Sequence, residues 1–176
     1  QFGEDPSDPR VGLAVDRRRV DPDVQLIAPL FGPGHASAGV NAKFWDTEDD
    51  HNQLKPAIPG GLVGWSRDGA SVIVRDNWDL WRLPGSGSGA VNITGNGQKD
   101  QIREQTRLMF DTRDRSGINL AAPMYVETFG EWTKKEGLAQ VDAAKGGVKV
   151  VSFEDAKVDY RRARDANVWA YTRQTV

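Results

Sequence analysis

Cysteine is absent from this 176-residue chain, which excludes disulfides, thiol nucleophiles and cysteine-ligated metal sites. No apolar run approaches the roughly 18–20 residues that a membrane-spanning helix needs. A formal net charge of −2 provides no basic excess for binding nucleic acid. The first residues, QFGEDPSDPR, are polar and lack the apolar stretch of a signal peptide. We therefore expect a mature or excised piece of a protein, with neither a membrane span nor a nucleic-acid partner.

Glycine and proline are plentiful, with 19 and 9 residues, whereas helical periodicity is scarce. The pattern is strongest in residues 64–110. There the turn dipeptide Asp68-Gly69 precedes an alternating strand, Ser71–Arg75, and a second turn at Asp76-Asn77 precedes a short strand at 80–83. Strands and turns that recur roughly every ten residues are typical of antiparallel hairpins. The sequence therefore predicts an all-β fold in which these hairpins form a meander.

Strand geometry predicts that Val72 and Val74 lie on one face of their strand, with Ser71, Ile73 and Arg75 on the other. One segment, residues 153–164, has apolar residues at spacings of three and four and predicts a helix. The remaining apolar runs predict further strands at 11–15, 24–30, 40–45, 105–111, 118–129, 137–141, 148–153 and 168–172.

The polar residues indicate no reactive site. The G-x-S-x-G spacing of a nucleophile elbow does not occur, because GSGSG at 85–89 is centred on Gly87 and is typical of a flexible turn. The two histidines, His35 and His51, lie in polar loops. The acidic run at 48–51 has the spacing of neither an EF-hand nor a zinc helix, and phosphate-loop spacings are absent. The sequence thus predicts no catalytic, cofactor-binding or metal-binding residue.

Short aspartate side chains in turns have a simpler explanation than metal binding. Asp68, Asp76 and Asp79 are predicted to accept hydrogen bonds from nearby backbone N–H groups.

The six tryptophans are the largest apolar side chains in the chain. Their default role is packing, and an exposed tryptophan on a peptide-binding rim is the alternative. The predicted structural core contains Trp65, Trp81, Trp132 and Trp169.

Three sequence elements together resemble a known family. WSRDG followed by SVIVRDNWDLWRL, and then NITG, is similar to the propeller of prolyl-oligopeptidase-type serine peptidases, in particular the large bacterial exported members with a TolB-like propeller. PMYVETFGEWTKKEGLAQV (123–141) and FEDAKVDYRRARDANVWAYTRQTV (153–176) resemble the segments that follow in those proteins. The resemblance covers residues 62–176, in consistent order.

The resemblance implies a non-catalytic role for this chain. In that family the catalytic Ser, Asp and His belong to an α/β-hydrolase domain after the propeller, and no position here matches those motifs. The propeller restricts the access of peptide substrates to that domain of the same polypeptide. The resemblance implies a periplasmic or secreted protein that is inactive as this chain alone and binds no cofactor. The alternative hypothesis is a stand-alone propeller-like scaffold that binds a protein partner. A third hypothesis, that this chain is itself a hydrolase, has less support because the nucleophile elbow is missing.

The blade count follows from length. A propeller blade takes roughly 40–45 residues, so we expect about three to four four-stranded blades, a partial propeller. The blades occupy residues 62–176, and residues 1–61 are expected to form N-terminal strands and loops, an incomplete blade. An arc of blades leaves sheet edges open, which favours self-association.

Overall fold

The computed structural model describes residues 44–51, 58, 61–85, 89–107, 116–163, 166 and 168–175. Those residues form an antiparallel all-β structure with a single four-residue helix, α1 (Gly97–Asp100). The strands are β1 (Leu62–Trp65), β2 (Ser71–Arg75), β3 (Leu80–Pro84), β4 (Val91–Asn92), β5 (Ile102–Arg107), β6 (Met124–Gly130), β7 (Glu136–Val141), β8 (Val148–Glu154), β9 (Lys157–Arg162) and β10 (Trp169–Gln174).

The strands form two successive four-stranded meanders. Strands β1, β2, β3 and β4 lie side by side in chain order in the first sheet, and β5, β6, β7 and β8 do so in the second. Every pair of neighbours is antiparallel, as in Ile73 opposite Arg82 and Val126 opposite Ala139. The predicted all-β fold and the predicted meander are therefore confirmed.

The two sheets pack face to face over one hydrophobic core. Its members alternate along their strands, so that each sheet contributes one face. The first sheet supplies Ile73, Leu80 and Ile93, and the second supplies Met124, Val126, Ala139 and Val141. A turn glycine also ties the sheets together, because the backbone N–H of Gly147 donates to the carbonyl of Ile93 at 2.8 Å.

The opposite face of the first sheet carries a second, smaller cluster. Val72, Val74 and Leu83 are buried there. Val72 and Val74 therefore share one face of β2 while Ile73 faces the other sheet, which confirms the predicted alternation. Trp65 and Trp81, two of the predicted core tryptophans, are half-buried and pack against this cluster.

The β1–β2 turn is held by the residues of the WSRDG motif. The hydroxyl of Ser66 donates to the Ser71 carbonyl at 3.0 Å and accepts from the Ser71 N–H at 2.9 Å. Asp68 accepts from the Ala70 N–H at 3.0 Å, and Gly69 follows with φ of 70°, a conformation that favours glycine. The predicted turn at Asp68-Gly69 is confirmed.

The helix predicted at 153–164 is wrong, because residues 153–162 form the end of β8, a turn and the strand β9. Within β9 the exposure alternates with a period of two: Tyr160 is buried and Val158 half-buried, whereas Lys157 and Asp159 are exposed. The three-and-four spacing arose because the apolar residues span a turn at Asp155.

The β9–β10 hairpin covers the outer face of the second sheet. The backbone N–H of Val158 donates to Glu136 Oε2 at 2.9 Å, and the Ser152 and Tyr160 hydroxyls are hydrogen-bonded to each other. Trp169, the third predicted core tryptophan, is half-buried and packs edge-to-face on Tyr125 at a centroid distance of 4.8 Å.

Several sequence predictions lie outside the described residues. They are the strands at 11–15 and 24–30, most of the strand at 40–45, and nearly all of the predicted N-terminal region 1–61. The later strands occur close to their predicted positions where they are described, but residues 108–111 of the strand predicted at 105–111 lie outside the described residues, and the strand predicted at 118–129 begins only at Met124.

Candidate functional site

Polar side chains converge where the β2–β3 turn of the first sheet meets the start of the second sheet. Asp76 opens that turn. Its Oδ1 accepts from the backbone N–H groups of Trp78 (2.7 Å) and Asp79 (2.6 Å), and its Oδ2 accepts from the indole of Trp81 (2.7 Å). Burial raises the pKa of Asp76, and these hydrogen bonds oppose the rise. The predicted role of Asp76 as a turn acceptor is confirmed.

Asp79 connects that turn to the chain leaving β4. Its Oδ1 accepts from the Thr94 hydroxyl and from the backbone N–H of Gly97, each at 2.9 Å, and its Oδ2 accepts from Asn92 Nδ2 at 3.0 Å. The Thr94 hydroxyl in turn accepts from the Leu80 N–H at 2.9 Å. The polar residues of the NITG element thus satisfy a buried carboxylate.

Gly97 allows this arrangement because no side chain fits there. A Cβ atom on Gly97 would lie 2.6 Å from the Trp78 carbonyl oxygen, 2.8 Å from that of Ile102 and 2.9 Å from Asp79 Oδ1. The start of α1 therefore packs directly against the turn and against Asp79.

Glu104 of β5 lies between the two sheets. Its partner on β6 is Thr128, which shares a face with Met124 and Val126 of the common core, so the Glu104 side chain points toward the first sheet. The residue is 0% exposed. Among the described residues, neither its Oε2 atom nor the Thr128 hydroxyl has a hydrogen-bond partner. Burial, followed by the nearby charge of Asp79, raises the pKa of Glu104 to about 8.

Asn96 provides the polar contact that Glu104 does have. In the amide orientation that satisfies its neighbours, Asn96 Nδ2 donates to Glu104 Oε1 at 3.2 Å and to the Thr94 carbonyl at 3.3 Å. Within the described part of the chain, one oxygen of the carboxyl group is therefore hydrogen-bonded and the other is not.

A second group of side chains surrounds Arg103, on the surface beside Glu104. The guanidinium lies 4.1 Å from the ring centroid of Trp78. Its Nε contacts Glu131 at 2.8 Å, its Nη2 contacts Glu48 at 2.7 Å, and its Nη1 donates to the Asn77 carbonyl at 2.9 Å. Burial lowers the pKa of Arg103, but the hydrogen bonds to Glu48 and Glu131 outweigh that effect and raise it. The guanidinium is thus a fixed cation joining three segments.

Trp132 completes this group, which we call the Arg103 cluster: Glu48, Trp78, Gln101, Arg103, Glu131 and Trp132. Trp132 is 79% exposed, so its predicted place in the structural core is wrong. It lies in the β6–β7 turn instead of a strand, and its indole N–H donates to Gln101 Oε1 at 2.6 Å. Its ring therefore offers a large apolar surface to the solvent in a fixed orientation.

The histidine within the described residues does not form a catalytic pair. The side chain of His51 is 90% exposed, and its Nδ1 lies 2.6 Å from Asp50 Oδ1. His51, Asp49 and Asp50 bring ligand atoms within 4.8 Å of one another, but they are sequence neighbours on an exposed loop. His35 lies outside the described residues.

No family model matches this chain, and no curated protein or solved structure matches it. In the described part of the chain, no helix has the length and apolar character required to cross a bilayer.

The arrangement suits recognition better than bond making. The carboxylates of Asp76 and Asp79 are occupied by turn and linker donors, so their oxygens are directed at the fold itself. The Arg103 cluster, by contrast, places an indole face and a guanidinium on one surface, and tryptophan and arginine are enriched at binding hot spots.

Sequence reasoning missed Glu104 and Arg103. Both belong to β5, Ile102–Arg107, whose letters IREQTR contain one apolar residue and resemble an exposed segment. The burial of Glu104 depends on the other sheet, which no local pattern reports.

Proposed function

We propose that this chain is a non-catalytic segment of a β-propeller that admits polypeptide substrates to a hydrolase domain, as in prolyl-oligopeptidase-type serine peptidases. The observation that carries the proposal is the pair of successive four-stranded meanders, each in chain order, that pack face to face on one core. Consecutive meanders of this kind are the building units of propellers. In this proposal the β9–β10 hairpin begins a third blade.

A gate of this type works by excluding large substrates and needs no reactive side chain. The fully engaged carboxylates of the β2–β3 turn and the solvated His51 agree with such a role. The partners proposed on the family resemblance are a peptide substrate and an α/β-hydrolase domain of the same polypeptide, in a periplasmic or secreted protein.

The alternative is a propeller-like scaffold that binds a protein partner by itself. The specific observation in its favour is the Arg103 cluster, because Trp132 exposes 79% of its surface while its N–H is already bonded. Tryptophan and arginine are among the residues enriched at binding hot spots.

The non-catalytic assignment is tested by assaying the purified chain with a proline-containing chromogenic peptide and with a chromogenic ester. We expect no turnover above the buffer rate, since the sequence has no nucleophile elbow. A prolyl-oligopeptidase-type enzyme serves as positive control. Turnover that a serine-directed phosphonate abolishes would overturn the assignment.

The two roles are separated by the reading frame of the gene. A downstream α/β-hydrolase domain in the same frame supports the gating role. A stop codon directly after Val176 supports the scaffold.

A further inference from the structure

Glu104 is a buried acid at the junction of the two sheets, and neither the gating role nor the scaffold role uses it. We propose that Glu104 carries a proton in the folded protein and acts as a pH-sensitive latch, so that its ionisation loosens the contact between β5 and the β2–β3 turn and releases the Arg103 cluster.

The charges around Glu104 favour its neutral form. Asp79 and Asp76 of the β2–β3 turn and Asp100 of α1 all disfavour a negative charge on it. The cation beside it on β5, Arg103, is engaged by Glu48 and Glu131. Arg75 of β2 lies on the same face as Ile73 and interacts electrostatically with Asp76 and Arg103, but the charges that act most strongly on Glu104 are those of the three acids.

Hydrogen bonds to Glu104 favour its ionised form, but few are available. The backbone N–H of Glu104 donates to the Trp78 carbonyl at 3.4 Å, a long bond that links β5 to the turn. Oε1 is placed to accept from Asn96, whereas Oε2 and the Thr128 hydroxyl beside it on β6 lack partners among the residues that the structure describes. A buried carboxylate oxygen without a donor is costly, and protonation lowers that cost by removing the charge.

A bound cation would be the other way to neutralise Glu104, but the surroundings oppose it. The Asp79 oxygens already accept three hydrogen bonds, from Thr94, Gly97 and Asn92. Gly97 fills the adjoining space against the turn. The proton is therefore the neutralising species.

The link to the surface runs along one short segment. Gln101, which holds the Trp132 indole, and Arg103, which stacks on Trp78, are both within three residues of Glu104. A charge that displaces β5 from the turn therefore disturbs both contacts.

The sign of the pH effect follows from the two states of the chain. In the unfolded chain the Glu104 carboxyl ionises near the ordinary glutamate pKa of 4.5, whereas in the folded chain it holds its proton up to a pKa of about 8. The stability that Glu104 contributes is fully present when the pH is below its pKa in the unfolded chain. It is lost as the pH rises to its pKa in the folded chain. By that linkage, the unfolding equilibrium constant rises roughly 10²- to 10³-fold between about pH 5 and pH 8.

The experiment compares urea unfolding of the full chain and of Glu104→Gln across pH 5–8.5. Glutamine keeps the shape of the side chain but does not titrate. We therefore expect that the unfolding equilibrium constant of this variant does not rise with pH as that of the wild type does. Asp155→Asn is the control: it also replaces one carboxyl by an amide, but on the exposed β8–β9 turn, and it should retain the rise of the unfolding equilibrium constant with pH. The indole N–H resonance of Trp132 should shift with a midpoint near pH 8 in the wild type and not in Glu104→Gln.

Identical pH profiles for the wild type and Glu104→Gln would overturn the proposal. So would a calcium- or magnesium-dependent increase in wild-type stability that Glu104→Gln lacks, because a cation would then be the neutralising species. If Glu104→Gln fails to fold, carboxyl ¹³C NMR of the glutamate-labelled wild type decides. A glutamate that titrates near pH 8 supports the proposal, and titration of all glutamates below about pH 6 refutes it.

Discussion

Replacing Asp79 with alanine tests whether the polar network of the NITG element holds the first sheet together. Asp79 accepts from Thr94, Gly97 and Asn92 at 2.9–3.0 Å. In Asp79→Ala these three donors lose their acceptor at the place where the chain leaves β4 for the second sheet. The expected result is a large loss of stability from a single turn residue.

The size of that loss follows from the contacts. Hydrogen bonds to a charged group contribute about 1.5–3 kcal/mol each, so three give a gross loss of about 4–9 kcal/mol. One effect offsets part of it, because a buried carboxylate no longer has to be desolvated. Water will also reach some of the freed donors. We therefore expect a net loss of about 2–4 kcal/mol.

The assay is urea unfolding at pH 7, followed by tryptophan fluorescence. Asp68→Ala is the matched control, because Asp68 also accepts from a backbone N–H (Ala70) and a hydroxyl (Ser66) in a hairpin turn but is exposed, and its loss should be much smaller. Thr94→Val removes one hydroxyl donor without changing the shape. The double variant should show a coupling of about 1–2 kcal/mol with Asp79→Ala, as expected for groups in direct contact.

A loss below about 1 kcal/mol in Asp79→Ala would refute this reasoning, since it would mean that water replaces the carboxylate at little cost. Strict additivity with Thr94→Val would also contradict it. Removing Asp79 should in addition lower the pKa of Glu104, because the charge of Asp79 is, after burial, the largest cause of its rise.

Two further predictions concern side chains and assembly. Trp65→Ala should lower the free energy of unfolding by about 2–4 kcal/mol, because Trp65 packs against the buried cluster of Val72, Val74 and Leu83. Trp132→Ala should lower it by less than about 1 kcal/mol, because Trp132 is exposed. Equal losses in urea unfolding would contradict this prediction. The chain should also self-associate, since Val150, Val151, Val168 and Tyr171 are exposed near the β8–β10 strands; a monodisperse 19.4 kDa particle in light scattering at all concentrations would contradict this.

The parts of the fold that sequence predicts well are those fixed by neighbours along the chain. The Asp68-Gly69 turn and the alternation of Val72 and Val74 with Ile73 depend on turn chemistry and on strand geometry. Both are local, so a short window of sequence contains the information.

The wrong predictions each required knowledge of a distant segment. The apolar spacing at 153–164 fits both a helix and two strands, and contact with the second sheet selects the strands. Trp132 is a core residue by residue type alone, but it occupies a turn that leaves its ring exposed. The local sequence carries no signal for Glu104, a charged residue in a polar strand that is fully buried.

The polar residues of this structure divide into those that the fold explains and those that it does not. Asp76 and Asp79 face backbone and side-chain donors that would otherwise be buried without partners, so their presence needs no ligand. Glu104, which retains an unpartnered oxygen within the described residues, and Trp132, which exposes its ring, are not explained in this way. Both connect to the same segment at the start of β5. A buried acid beside an exposed recognition surface gives solution pH a direct route to that surface, which a purely steric gate would not require.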